Sequence, residues 1–262
     1  MGIHDLQSLH PTTNRVRLTQ SNDLWIASDE QHGYKVIHKF GHNLLVNETW
    51  ETIWSVGGEY SFIGDATVLK ISSTDNDDDD GDTGARTVLV EGLDANYNEI
   101  SEVVTLNGQA AVNTTNTYKR VHRMIVQSVG SSGYNEGIIY AGTGTVSAGV
   151  PANKYAAIPA EYNQTMMAVY TIPAGKTGYL TMFYAQPDGE KEFQIRLYNR
   201  DVNGIARVKN QLHAYQNQAS FMYHPYFKIE EKNDVYINFH DSSGNDASVG
   251  GGFSIILVDN VE

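Results

Sequence analysis

The densest chemistry in the chain is a run of carboxylates, Asp75, Asp77, Asp78, Asp79, Asp80 and Asp82, interrupted only by Asn76 and Gly81. Packed carboxylates repel unless a cation or water screens them, and calcium is the cation whose oxygen chemistry suits such a run. An EF-hand register with Gly81 at the invariant glycine would require an aspartate at position 76 and a bidentate glutamate at position 87. The chain has Asn76 and Thr87 instead, which excludes that loop. A solvated acidic turn between two strands needs no ligand, and residues 75–82 are read as such a turn.

Nine histidines, His4, His10, His32, His38, His42, His122, His213, His224 and His240, show neither HExxH nor another paired motif. His32, His38 and His42 are the closest group. Their spacings of six and four could converge on zinc, but no acidic or sulfur ligand stands convincingly beside them. The chain has no cysteine, so disulfides, thiolate metal sites and cysteine nucleophiles are excluded.

GxSxG, SxxK, the phosphate-binding GxxxxGK[ST] and GxGxxG are all absent. Gly250, Gly251 and Gly252 stand together but precede a strand-like segment, where they would let backbone pass a crowded place. No pair among the acidic residues is singled out for glycoside hydrolysis. Trp50, Trp54, Tyr60 and Phe62 could stack on a sugar, yet alternating large aromatics in a strand-rich segment are read as core. The sequons at Asn47, Asn113 and Asn163 are read as chance in an Asn- and Thr-rich chain. No catalytic, cofactor-binding or metal-binding residue is assigned, no cofactor is expected, and the chain is expected not to be an enzyme.

The elements that must carry these residues are strands. Phe193, Ile195 and Leu197 alternate with Gln194, Arg196 and Tyr198, as Val235, Ile237 and Phe239 do with Tyr236, Asn238 and His240. Each is predicted to be a half-buried strand. Residues 87–90, 103–106, 178–184 and 253–258 are β-branched and aromatic without clean alternation, which predicts strands buried on both faces. Asn203-Gly204 signals a tight hairpin, and Asp94, Asn96 and Asn98 a second reversal. No window carries a helical apolar period, so helix content is expected to be low.

Composition agrees with a folded chain of 262 residues, at 40% hydrophobic and 19% charged, with 24 Gly, 6 Pro and 16 Tyr. The 18 Lys and Arg against 31 Asp and Glu give a net charge of −13, a surface that repels polyphosphate, so no direct nucleic-acid partner is expected. The N-terminus lacks a signal-peptide pattern, position 6 is Leu where myristoylation wants Ser or Thr, and no apolar run reaches the roughly 18 residues of a membrane span. A non-secreted protein with no membrane partner is expected.

The small-residue and proline-bearing stretch 142–159 reads as a connector. The expected organisation is therefore an N-terminal arm over 1–48, a first β-sandwich over 49–159 and a second over 160–262. The arm is polar and weakly patterned, with apolar bursts at Leu24 to Ile26 and Tyr34 to Ile37 that suit docking on a neighbouring surface. GLDANYNEI and YNRDVNGIA share an Asp/Asn turn between strands, which is common hairpin chemistry rather than a repeat.

Three stretches together resemble a family of tailed-phage virion proteins, many from phages of aquatic bacteria. They are KFGHN at 39–43 with ETIWSVGGEY at 51–60, DTGARTVLVEGLDANYNEISEVVTLNG at 82–108, and YTIPAGKTGYL at 170–180. The region from Phe221 through EKNDVYINFHDSSGNDASVGGGFSIILVDN is similar to the closing β-rich part of the same proteins. The acidic run is longer here than the turn found at that position in the family. The resemblance implies a structural component of the virion and carries no catalytic residues.

Physical reading and resemblance converge on an all-β chain of two β-sandwiches of jelly-roll type. The leading expectation is a capsid decoration or cement protein, made in the host cytoplasm and placed on the capsid surface. Its partners would be the major capsid protein and further copies of itself in a homotrimer. The alternatives are a host-binding protein of the tail or head surface, a head-tail connector or tail-tube subunit, and a depolymerase-like enzyme.

Overall fold

The computed structural model describes residues 33–46, 48–189, 192–215, 218–242 and 247–260. In chain order the strands are β1 (Tyr34–Val46), β2 (Glu51–Thr52), β3 (Thr67–Ser73), β4 (Ala85–Leu93), β5 (Glu99–Thr105), β6 (Val112–Tyr118), β7 (Arg120–Val129) and β8 (Ile139–Ser147). They continue as β9 (Val150–Ile158), β10 (Val169–Thr171), β11 (Lys176–Pro187), β12 (Glu192–Arg200), β13 (Ala206–Tyr215), β14 (Ala219–Ile229), β15 (Asp234–Asp241) and β16 (Ala247–Asp259). No helix occurs among the described residues.

These strands form four small antiparallel sheets, set like four blades around a ring rather than as two clearly separate jelly rolls. Their orders are β6-β3-β8-β9, β5-β4-β7, β1-β16-β11-β14 and β10-β15-β12-β13, with β2 also pairing to β15. Apolar side chains gather chiefly in two cores. One, built on Leu69, Ile71, Val88, Val90, Met124 and Ile139, draws on the first two sheets. The other, built on Phe183, Phe193, Ile195, Ile237, Phe239 and Phe253, draws on the last two.

Period-two chemistry accounts for β12, where Phe193, Ile195 and Leu197 enter the core and the residues between them stay half-buried. β15 departs from the half-buried expectation. Val235, Ile237 and Phe239 face the same core, but Tyr236 and Asn238 are buried too. Phe62 packs edge-on against Tyr236, and the Thr52 hydroxyl donates to Asn238 Oδ1 at 2.9 Å, so the second face is covered by residues far away in sequence. β5 departs the other way: as the outer strand of its sheet it buries Val104 and leaves Val103 58% exposed.

Both predicted reversals are hairpins with one mechanism. Asp94 Oδ1 accepts the Asn96 and Asn98 amides, and Asp201 Oδ1 accepts those of Asn203 and Ile205. The second loop takes its positive φ at Gly204 alone (+84°) among its residues, which makes it longer than a two-residue turn.

The stretch 142–159, expected to connect two units, is instead largely the β8–β9 hairpin at one side of a sheet. Small residues serve close packing there: a Cβ on Gly142 would meet the Asn153 carbonyl at 2.2 Å. Of the expected arm, residues 1–32 and 47 lie outside the described residues, and 34–46 form β1, paired along its length with β16 from Tyr34↔Val258 to Val46↔Ala247. The strands β3–β9 are thus inserted between β1 and β10, while the sheets of the last two orders take strands from both ends of the chain. The alternation of β1 is hidden because its inward positions carry Lys39, Gly41 and Asn43 beside Ile37.

Candidate functional site

A knot of buried polar groups lies where the inserted strands meet the rest. Arg120, the first residue of β7, reaches Asp234, the first residue of β15, with Nε to Oδ1 at 2.8 Å and Nη2 to Oδ2 at 3.1 Å. Asp234 also accepts Arg200 Nη1 at 2.7 Å and the Thr171 hydroxyl at 2.6 Å. The remaining Arg120 nitrogen donates to the carbonyls of Ile63 and Lys119. Both partners are buried, and a fork of this kind satisfies the charges that burial would otherwise penalise. The two guanidinium groups, of Arg120 and Arg200, lie 5.0 and 4.7 Å from the Phe62 ring centre.

Around this knot Trp54, Tyr60, Met167, Val169 and Tyr236 form an aromatic seam, with Trp54, Tyr60, Phe62 and Tyr236 meeting edge to face in series. Tyr60 Oη donates to the Tyr155 carbonyl and Ser55 Oγ to that of Ala157, fastening the seam to β9. Trp54 and Tyr60 therefore sit in core surroundings. Trp50 does not: it carries the Arg196 guanidinium 3.9 Å from its ring and the His240 ring at 5.1 Å.

A cleft of about 490 Å³ opens between β1 and the β4–β5 hairpin, lined by Lys35, Glu91, Glu99, His122, Arg123 and Tyr170 among others. Lys39 lies at its base, 8% exposed, and donates to the His122 carbonyl at 2.5 Å. Burial, helped by Arg123, lowers its pKa to about 7, against an opposing pull from Glu91. Burial also keeps the His122 imidazole well below its ordinary range. That ring stacks on Tyr170 at 4.1 Å and accepts the Thr171 amide on Nε2. A lysine that gives up its proton near pH 7 beside a neutral histidine has the ingredients of a base or nucleophile. Here both groups are turned to structural contacts that tie β1 and β10 to β7, and Lys35 bridges the cleft to Glu99 at 3.2 Å.

The acidic run divides. Most of its members are exposed or half-buried, as a solvated turn requires. Asp78 is the exception, with no exposure at all. Its Oδ1 accepts the amides of Ala85 and Glu136, and its Oδ2 the Gly137 amide and the Ser73 hydroxyl at 2.5 Å. Asp75, Asp77 and Glu136 have carboxylate oxygens within 4.8 Å of one another. Repulsion from Glu136 raises the Asp77 pKa.

The histidines do not converge. His32 is outside the described residues, His38 pairs with Ser254 Oγ at 2.9 Å, and His42 with Ser248 Oγ at 2.8 Å. Gly250, Gly251 and Gly252 lie within β16 rather than before it. A Cβ on Gly252 would meet the Lys39 carbonyl at 2.2 Å and one on Gly251 the Tyr184 carbonyl at 2.8 Å, whereas one on Gly250 would find only the Gly41 carbonyl at 4.0 Å, so the inferred crowding holds for two of the three. Sequence reading gave no individual role to Lys39, Asp78, Arg120, His122 or Asp234. For Arg120 and Asp234 the local signal was only a charged residue beside a strand-like run, and these partners are 114 residues apart.

No protein-family model matches the sequence, and no curated protein matches it. Among solved structures the chain is similar to one described as the structure of infectious bursal disease virus Gt strain, at 11% identity and a TM-score of 0.23, over 87% of this chain and 71% of that one. It is also similar to the structure of infectious bursal disease virus Gx strain, at 9% identity and a TM-score of 0.24, over 87% and 72%.

Proposed function

We propose that this protein is a structural component of a virus particle, and within that class a capsid decoration or cement protein of a tailed phage. The observation that carries the reading is strand order. Taken in chain order, the eight strands β1 and β10–β16 run 1-8-3-6 in one sheet and 2-7-4-5 in the sheet across the core. That is the order of a jelly roll, a fold used by viral shells and lectins to present rigid faces. Fold alone does not assign function. Support also comes from the stretches that resemble phage virion proteins. They occupy β1–β2 with the aromatic seam, the β4–β5 hairpin and the β10–β11 corner, which are parts that hold sheets together.

In this reading the major capsid protein is the partner, further copies of the chain complete a homotrimer, and the protein sits on the capsid surface after synthesis in the host cytoplasm. It performs no reaction. Quantitative mass spectrometry of purified particles is the test. A copy number in fixed ratio to the major capsid protein is expected, and a few copies per particle would place the protein in the tail.

Contact with a host glycan is the second reading, favoured by planar polar groups on the outer face of β12 and β13. Arg196, held over Trp50, donates to Gln211, which in turn donates to Gln194. Glycan-array binding lost in Trp50→Ala would support it, and an array without signal would remove it.

A further inference from the structure

The strands β13 and β14 are the outermost strands of two facing sheets and are joined by residues 216–218, so both open edges lie on one side of the molecule. They turn large apolar side chains to solvent: Met222 is 76% exposed, Tyr215 60%, Tyr226 46% and Val208 45%, with Phe221 at 39%; in the same two sheets β1 does so as well, at Leu44 and Leu45. Apolar side chains left in solvent along two open edges of a folded chain mark a contact surface.

Charge says what the contact is with. Residues 202–229 contain no Asp or Glu, in a chain with 31 of them and a net charge of −13. The flanking carboxylates Asp201 and Glu230 hold Arg207 and Lys228, at 2.7 and 3.0 Å, while Lys209 lies over the Phe227 ring. The strip is therefore close to neutral. Two copies of so acidic a chain repel one another over most of their surface, and this strip is where that repulsion is relieved and apolar area is offered in its place. Three cations are too few to capture a polyanion against the field of the whole chain. Pro225 interrupts the row of amide donors on β14, so the contact is made by side-chain faces rather than by extending a sheet.

We propose that the β13–β14 strip is the self-association surface of this protein, with strips of neighbouring copies packed against one another around the symmetry axis. The inference deepens the homotrimer of the preceding section and names its interface.

Sedimentation velocity and native mass spectrometry of the full chain test it in free solution. The wild type is expected to be oligomeric, and Met222→Asp with Tyr226→Asp to be monomeric with an unchanged circular dichroism spectrum. Met222→Ser with Tyr215→Ser adds no charge and is expected to raise the dissociation constant by at least tenfold, which keeps the test valid if the aspartates impair folding. Val103→Asp, on an exposed position of another sheet, is expected to leave the mass unchanged. A monomeric wild type, or strip variants that keep the wild-type mass, would overturn the proposal. Co-sedimentation with undecorated heads is scored separately: a wild type that assembles through the strip yet ignores heads leaves the interface standing and removes the decoration reading.

Discussion

Lys39 and Asp78 are both buried ionisable groups, and their surroundings treat them in opposite ways. Lys39 has one short hydrogen bond to a carbonyl, which takes a proton from either form, and desolvation pulls its pKa from 10.5 to about 7. Between those two pH values the unfolded chain holds a proton that the folded chain has released, so stability rises with pH across that window and is lost as pH falls toward 7. The full effect is on the order of 3 to 5 kcal/mol. Denaturant midpoints measured from pH 7 to 10 are expected to rise more steeply for wild type than for Lys39→Met, and equal slopes would show that Lys39 keeps its proton. Asp78, in contrast, accepts four donors from three segments. Asp78→Asn turns an amide NH₂ toward those donors and is expected to cost about 3 kcal/mol by urea titration. Asp77→Asn, which relieves the repulsion with Glu136, is expected to leave the midpoint unchanged or slightly raised.

At the scale of elements, β1 decides how the chain can be cut. Its residues pair with β16 from Tyr34 to Val46, and Gly41 lies so close to the Ile53 carbonyl that a Cβ would stand 2.2 Å away. Removing residues 1–45 therefore strips nearly all of an edge strand from a sheet and uncovers β16, whereas removing 1–32 leaves every described strand whole. The shorter deletion is expected to melt within a few degrees of wild type and the longer one to be insoluble; a soluble, cooperatively melting 46–262 fragment would show that β1 is dispensable. Gly252→Ala forces a methyl group against the Lys39 carbonyl and is expected to destabilise by about 1 to 3 kcal/mol or more, read as a drop in melting temperature. Such demands on backbone spacing explain the glycine-rich composition of a strand that propensity alone would disfavour.

The whole molecule is held as one body by the Arg120–Asp234–Arg200 knot, the aromatic seam and Lys39, which together bridge the two cores. Asp234→Ala leaves Arg120 buried without its carboxylate, a change expected to cost about 3 to 5 kcal/mol. Because Asp234 lies between the cores and not within either, the loss is expected to split the calorimetric transition into two. One sharper, lower transition would show that the cores unfold together regardless of the knot.

The all-β class, the β12–β13 and β4–β5 hairpins and the alternation of β12 were set by local sequence, because strand periodicity and the hydrogen bonds of Asp94 and Asp201 act over a few residues. The glycine run signalled crowding, but the atoms that crowd Gly251 and Gly252, in Lys39, Ile53 and Tyr184, come from distant segments. Tertiary structure alone decided that Tyr34–Val46 is a strand, since its inward Lys39, Gly41 and Asn43 are acceptable there only because His122, Ile53 and Glu51 stand opposite. It alone decided that Val103 is exposed while Tyr236 is buried, and that one aspartate of an acidic turn is a core residue. Burial and pairing depend on what the fold brings across from distant segments, and a charged side chain carries no local mark of the partner that will satisfy it.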